Sequence, residues 1–97
     1  FDYQGYINIA EDGIYTFYIA SNDGGQLYID NRILINSDGL HPLAEVYKPI
    51  ALKVGFHPIS VKYFQAGGSN GLTVSWQGQG FAKQEIPGSV LFHKKGQ

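Results

Sequence analysis

The stretch Ile14-Tyr15-Thr16-Phe17-Tyr18-Ile19-Ala20 decides the fold. Successive side chains of a strand point to opposite faces, so Tyr15, Phe17 and Ile19 share one face and Thr16, Tyr18 and Ala20 the other. Aromatic and β-branched residues favour such a pleated, half-buried surface, and no sustained helical period competes with it. Upstream, Tyr3 to Ile9 reads as a strand, and Ala10-Glu11-Asp12-Gly13 reads as a hairpin turn, because Asp-Gly between alternating runs is a strong hairpin signal. Downstream, Gln26-Leu27-Tyr28-Ile29 turns at Asp30-Asn31 into Arg32-Ile33-Leu34-Ile35, a second hairpin. A long connection from Asn36 to Tyr47 follows, then a strand at Ile50 to Lys53 and a tight turn at Val54-Gly55-Phe56.

His57 to Phe64 alternates with Ile59, Val61 and Tyr63 on the core face, and Pro58, lacking an N–H, belongs at that strand's start or on an edge. Leu72, Val74 and Trp76 again share a face after the loop 65–71. A Gly/Gln-rich stretch precedes a last short strand at Ser89 to Phe92, and the tail Lys94 to Gln97 is expected to fray. This predicts an all-β, antiparallel β-sandwich or distorted barrel of about eight short strands, a single domain over residues 1–97 without repeats.

Composition agrees and narrows the function. Thirteen glycines in 97 residues supply tight turns, and 43% hydrophobic content is enough for a core. A net charge of −1 gives no basic face for nucleic acid. No apolar run reaches the ~20 residues that span a bilayer, so no membrane insertion is expected. Zero cysteine excludes disulfides and a thiolate zinc site, while leaving the compartment open.

The blocks Gly5-Tyr6-Ile7, Glu11 to Tyr18, Ser21-Asn22-Asp23-Gly24-Gly25-Gln26-Leu27-Tyr28-Ile29-Asp30, Leu52 to Ile59, Tyr63-Phe64 and Leu72 to Trp76 stand in an order that resembles the protective-antigen-type (PA-fourteen) domain across essentially the whole chain. Members of that family usually carry further residues, including at least one strand, before the position matching Phe1, so the natural polypeptide is expected to be longer. The resemblance implies a β-sandwich of the kind appended to bacterial glycoside hydrolases, toxins and adhesins. It also implies an extracellular, periplasmic or cell-surface setting. In the adhesins of that family, carbohydrate is bound through a calcium ion held by two adjacent aspartates. Asp23 matches the second of these, and Asn22 stands where the first would be, keeping an oxygen ligand and losing a charge.

Two readings of Asn22-Asp23 therefore stand. They either hold Ca2+, which takes six to eight hard oxygen ligands, or cap and turn the loop as Asx residues commonly do. Sugar binding itself needs planar polar groups and an aromatic face. The candidates are Asn22, Asp23, Asp38, His41 and Asn70, all on predicted loops, with Tyr18 and Tyr28 as outward-facing platforms or as packing. Trp76 has core parity.

Catalysis has little support. Among the acids, only Asp23 and Asp38 fall on adjacent predicted loops, and no Gly-x-Ser-x-Gly turn or His-Glu-x-x-His run occurs. The glycine-rich 67–71 segment joins two strands and lacks a following Lys, so it is no phosphate loop. The functional expectation is a non-catalytic carbohydrate-binding accessory domain of a bacterial glycoside hydrolase. Its alternatives are a structural module packed against another domain of the parent polypeptide, and calcium-dependent glycan binding of the adhesin kind.

Overall fold

The computed structural model describes residues 2–21, 24–37, 44–64 and 72–93. The strands are β1 (Asp2–Ile9), β2 (Gly13–Ser21), β3 (Gly24–Ile29), β4 (Arg32–Ser37), β5 (Ala44–Leu52), β6 (Gly55–Phe64), β7 (Leu72–Gly78), β8 (Phe81–Glu85) and β9 (Leu91–His93), with a 3-10 turn at Gly88–Val90 before the last. They form two antiparallel sheets, a five-stranded one ordered β4-β3-β6-β1-β9 and a four-stranded one ordered β5-β2-β7-β8. The all-β sandwich expected from the alternating pattern is present, with nine strands among the described residues.

The core lies between the sheets, where the inward parity of each strand interdigitates. Ile7 and Ile9 of β1, Tyr15, Phe17 and Ile19 of β2, Leu27 and Ile29 of β3, Ile35 of β4, Leu52 of β5, Ile59 and Val61 of β6 and Trp76 of β7 are all buried. Trp76 sits in an aromatic cluster, 5.5 Å from the Tyr15 ring and 5.0 Å from Phe81 between centroids. Offset and tilted ring pairs of this kind add to simple area burial.

Four local expectations are corrected. First, β1 and β2 are not a hairpin, because they lie in different sheets. The Asp12-Gly13 signal marks a corner between layers, and Asp12 Oδ1 instead accepts the Val54 N–H at 2.7 Å, joining two turns. Second, the connection placed at Asn36 to Tyr47 is much shorter, since β4 runs to Ser37 and β5 starts at Ala44. Pro49 disguised β5, which tolerates it as an edge strand.

Third, β6 is central in its sheet, so Pro58 is on no edge. Its carbonyl accepts the Asp30 N–H at 2.9 Å, so its nitrogen also faces β3, beyond the point where β3 has ended at Ile29. The reciprocal bond to the Asp30 carbonyl is the one the proline forgoes, at the place where the β3–β6 ladder ends. Fourth, the Gly/Gln-rich stretch completes β7 and folds through Gly80 (φ 88°) into β8. The Asp30-Asn31 hairpin stands as read, with both residues left-handed (φ 55° and 64°), as a type I′ turn requires.

Candidate functional site

The sandwich has two unlike poles. At one lie the short turns at 10–12, 30–31, 53–54 and 79–80, the first three stitched together by side-chain hydrogen bonds. His57 lies between the Asp30 carboxylate (Nδ1 to Oδ1 2.9 Å) and the Lys53 carbonyl (Nε2 to O 2.7 Å). Partial burial opposes a charge on this ring, but the Lys53 carbonyl and then the hydrogen bond and charge of Asp30 outweigh it, and the pKa is raised above 6.5. His57 is thus a clasp between the β3–β4 and β5–β6 turns.

At the opposite pole the strand ends that bound positions 22–23, 38–43 and 65–71 come together. Ser21, the last residue of β2, is paired with Ala44, the first of β5, on one side and with Leu72, the first of β7, on the other. In the facing sheet, Gly24 at the start of β3 is opposite Phe64 at the end of β6, and Gly25 is opposite Ser37 at the end of β4. Directly opposed residues in an antiparallel pair have Cα atoms ~4.5–5.5 Å apart, so each layer brings its loop-bounding ends side by side. All three connections cross between the sheets at this pole.

Asn22, Asp23, Asp38, His41 and Asn70 lie outside the described residues, as do Leu40, Pro42 and the tail 94–97. The structure places the strand ends on either side of them. Among the described residues, no group of three or more His, Cys, Asp or Glu is arranged to hold a metal.

Tyr18 and Tyr28 both point outward, but from different sheets, so they cannot form one platform. Tyr28 is half-buried, its hydroxyl donating to Gln26 Oε1 at 3.1 Å. Tyr18 belongs to a denser cluster on the outer face of the four-stranded sheet. Its hydroxyl donates to Gln77 Oε1 at 2.9 Å, and its ring centre lies 5.7 Å from that of Tyr47 at 35°. Lys83 Nζ stands 4.5 Å from the Tyr18 ring centre and donates to both Glu45 carboxylate oxygens at 2.8 Å. Lys83 is on one edge strand and Glu45 on the other, so their side chains meet across β7 and β2. Such an exposed ion pair is worth only ~0–1 kcal/mol to stability.

Sequence reading does not find Tyr47, Glu45 and Lys83, because it starts the fifth strand only at Ile50 and leaves position 83 in a connection. Val46, Ile50 and Leu52 do carry period two, but Lys48 breaks it with an inward-parity charge, a device that blunts edge strands. The outer face of the five-stranded sheet carries an exposed edge-to-face pair instead, Phe56 and Phe92, with centroids 5.3 Å apart.

A two-layer antiparallel sandwich, with the three longer inter-sheet connections at one pole and short turns at the other, defines the class as an all-β sandwich module. Over residues 1–89 the sequence matches the PA14 domain, and the chain belongs to that family.

Among curated proteins it is similar to the anti-sigma-I factor RsgI3 of Acetivibrio thermocellus, 29% identical over 83 residues, 84% of this chain and 13% of the relative. A solved anti-sigma factor domain-containing protein superposes with a TM-score of 0.90 at 27% identity, covering 96% of this chain and 33% of that one. A PA14 sugar-binding domain from an RTX adhesin shares the fold, with a TM-score of 0.83 at 19% identity over 96% of this chain and 53% of the other. The chain thus spans 13% of the length of the curated relative it matches. No helix among the described residues is long and apolar enough to cross a membrane.

Proposed function

We propose that this chain is a non-catalytic carbohydrate-binding domain. Its ligand meets the pole where the ends of β2, β4 and β6 face the starts of β3, β5 and β7. The carrying observation is the double pairing of Ser21 with Ala44 and Leu72, matched by Gly24 with Phe64 and Gly25 with Ser37. It supports a joint contribution of segments 22–23, 38–43 and 65–71 to one ligand, through Asn22, Asp23, Asp38, His41 and Asn70. Sugar binding by the RTX adhesin domain of the same fold supports the same reading.

The donor chemistry fits calcium: the three segments offer two carboxylates, Asp23 and Asp38, with the amide oxygens of Asn22 and Asn70 and the Ser69 hydroxyl. Asn22 and Asp23 would hold the ion. When bound, it supplies open coordination positions for sugar hydroxyls. The relatives support a parent polypeptide of the anti-sigma factor kind rather than the glycoside hydrolase expected from the sequence. A glycan ligand goes with an extracellular, periplasmic or cell-surface position.

A second reading is a structural module packed against a neighbouring domain. The exposed Phe56–Phe92 pair favours it, since two phenylalanines on an open sheet face suit a protein contact. A glycan array with and without chelator separates the readings. Binding that Asp23→Ala abolishes, with the melting temperature held within a few degrees, supports the glycan pole, and loss with chelator adds the ion. Silence across the array contradicts glycan binding and leaves the structural module.

A further inference from the structure

We infer that the outer face of the four-stranded sheet is a track for the interior of a linear polysaccharide, with Tyr47 as its stacking platform and Glu45, Lys83 and Gln77 as its hydroxyl partners. The inference rests on the carbohydrate-binding reading above and extends it from a sugar at the pole to a chain running down β2.

Four observations carry it. Tyr47 keeps 65% of its surface exposed although its strand is well formed, and its ring is braced on one side by Tyr18. Tyr18 is itself fixed by its bond to Gln77 and by Lys83, so the aromatic surface is pre-organised, which lowers the ordering cost of binding. The polar groups beside it are the ones a sugar ring uses. Glu45 accepts, Lys83 donates, and the Gln77 amide, whose oxygen is engaged by Tyr18, has its NH2 left to donate. Because Glu45 and Lys83 neutralise each other, the strip suits a neutral polyhydroxylated ligand rather than a polyanion.

Position supplies the rest. Glu45 is opposite Ala20, one residue from the strand end that borders 22–23, so the track starts where the polar pole ends. Toward the turns it passes Tyr18 with Tyr47 and Ser75, then Thr16 with Pro49 and Gln77. It reaches a shallow depression of ≈ 210 Å³ lined by Ile14, Thr16, Gln77, Gly78 and Gln79. From Ala20 to Ile14 this is about 20 Å at the ~3.4 Å rise of an antiparallel strand, room for several pyranose rings in a row. On the outer face of the other sheet the exposed ring pair is phenylalanine, and Tyr28 there is half-buried with its hydroxyl turned to Gln26, so it presents no comparably open platform.

The test is native affinity electrophoresis of the chain in gels containing soluble xylan, mixed-linkage β-glucan or polygalacturonan, followed by titration calorimetry with graded oligosaccharides from whichever neutral polymer retards it. Retardation by the polyanionic polygalacturonan alone, or by none of the three, overturns the track. The track predicts affinity that rises with oligosaccharide length beyond a single sugar. It also predicts a roughly tenfold or greater loss for Tyr47→Ala, recovery in Tyr47→Phe, and an unchanged melting temperature in both. Tyr47→Ala binding like the wild type, while Asp23→Ala abolishes binding, overturns the track and leaves the pole intact. Equal affinity for a monosaccharide and its longest oligomer overturns it as well. Loss in Tyr47→Ala with Asp23→Ala unaffected upholds the track and overturns the pole.

Discussion

Gly5 occupies a place in β1 where a single methyl group should be expensive. It has the inward parity of Ile7 and Ile9 and lies opposite Ile59 of β6 on one side and His93 of β9 on the other. A Cβ there would collide with the Phe92 carbonyl oxygen and sit 2.9 Å from the Tyr3 hydroxyl. A side chain can rotate away, but a backbone oxygen moves only with its strand. β9 is held to β1 by three residue pairs, Gly5 with His93, Tyr6 with Phe92 and Ile7 with Leu91.

Overpacking of this kind costs ~1–3 kcal/mol, and displacing β9 adds part of its ladder at ~0.5–1.5 kcal/mol per hydrogen bond. Gly5→Ala is therefore expected to lose about 2–3 kcal/mol. At ~4–8 °C per kcal/mol for a domain of this size, the melting temperature falls by roughly 8–24 °C. Gly88→Ala is the control, because nothing lies within 4 Å of its added Cβ, and it should stay within ~0.5 kcal/mol of wild type. The assay is equilibrium urea unfolding followed by fluorescence of Trp76, the protein's single tryptophan, which is buried. The midpoint should drop with the slope unchanged. A Gly5→Ala midpoint indistinguishable from that of Gly88→Ala would refute the placement of β9.

The His57 clasp predicts a pH dependence of definite sign. Its folded pKa is raised above 6.5, so its stabilisation is present in full below 6.5 and is lost as the pH climbs through the raised value. The melting-temperature advantage of wild type over His57→Gln should shrink with rising pH, and an NMR titration placing His57 at or below 6.5 would contradict the clasp. Phe17 is fully buried on a central strand, and Phe17→Ala should cost ~3–5 kcal/mol in the same urea assay. Tyr15→Phe removes a hydroxyl that donates to the Glu11 carbonyl at 2.6 Å and should cost about 1 kcal/mol, with no loss if that bond is absent in solution.

Much of this architecture is legible in the chain because two-residue periodicity is a direct image of burial. Tyr15, Phe17 and Ile19 announce one face and occupy it. The Asp30-Asn31 turn is equally plain, since few residue types accept two successive left-handed conformations. Partnering is less visible. Asp12-Gly13 between two alternating runs carries the chemistry of a hairpin, yet nothing local says whether the next strand pairs with the last or crosses to the other layer. Edge strands hide for a related reason: Lys48 and Pro49 in β5, and Lys83 and Gln84 in β8, are tolerated because one side of each strand is open, and they erase the pattern. The outward cluster was half legible. Tyr18 stood out by parity, but Tyr47, Glu45 and Lys83 join it only through the order β5-β2-β7-β8.

The most direct test of glycan recognition at the connecting-segment pole is an amide-resolved NMR titration of the chain with an oligosaccharide that binds on the array. The account predicts that backbone amides of Ser21, Gly24, Ser37, Ala44 and Leu72 shift together with increasing ligand. Shifts confined to Asp12, Asp30 and Gly55, at the stitched pole, would contradict it.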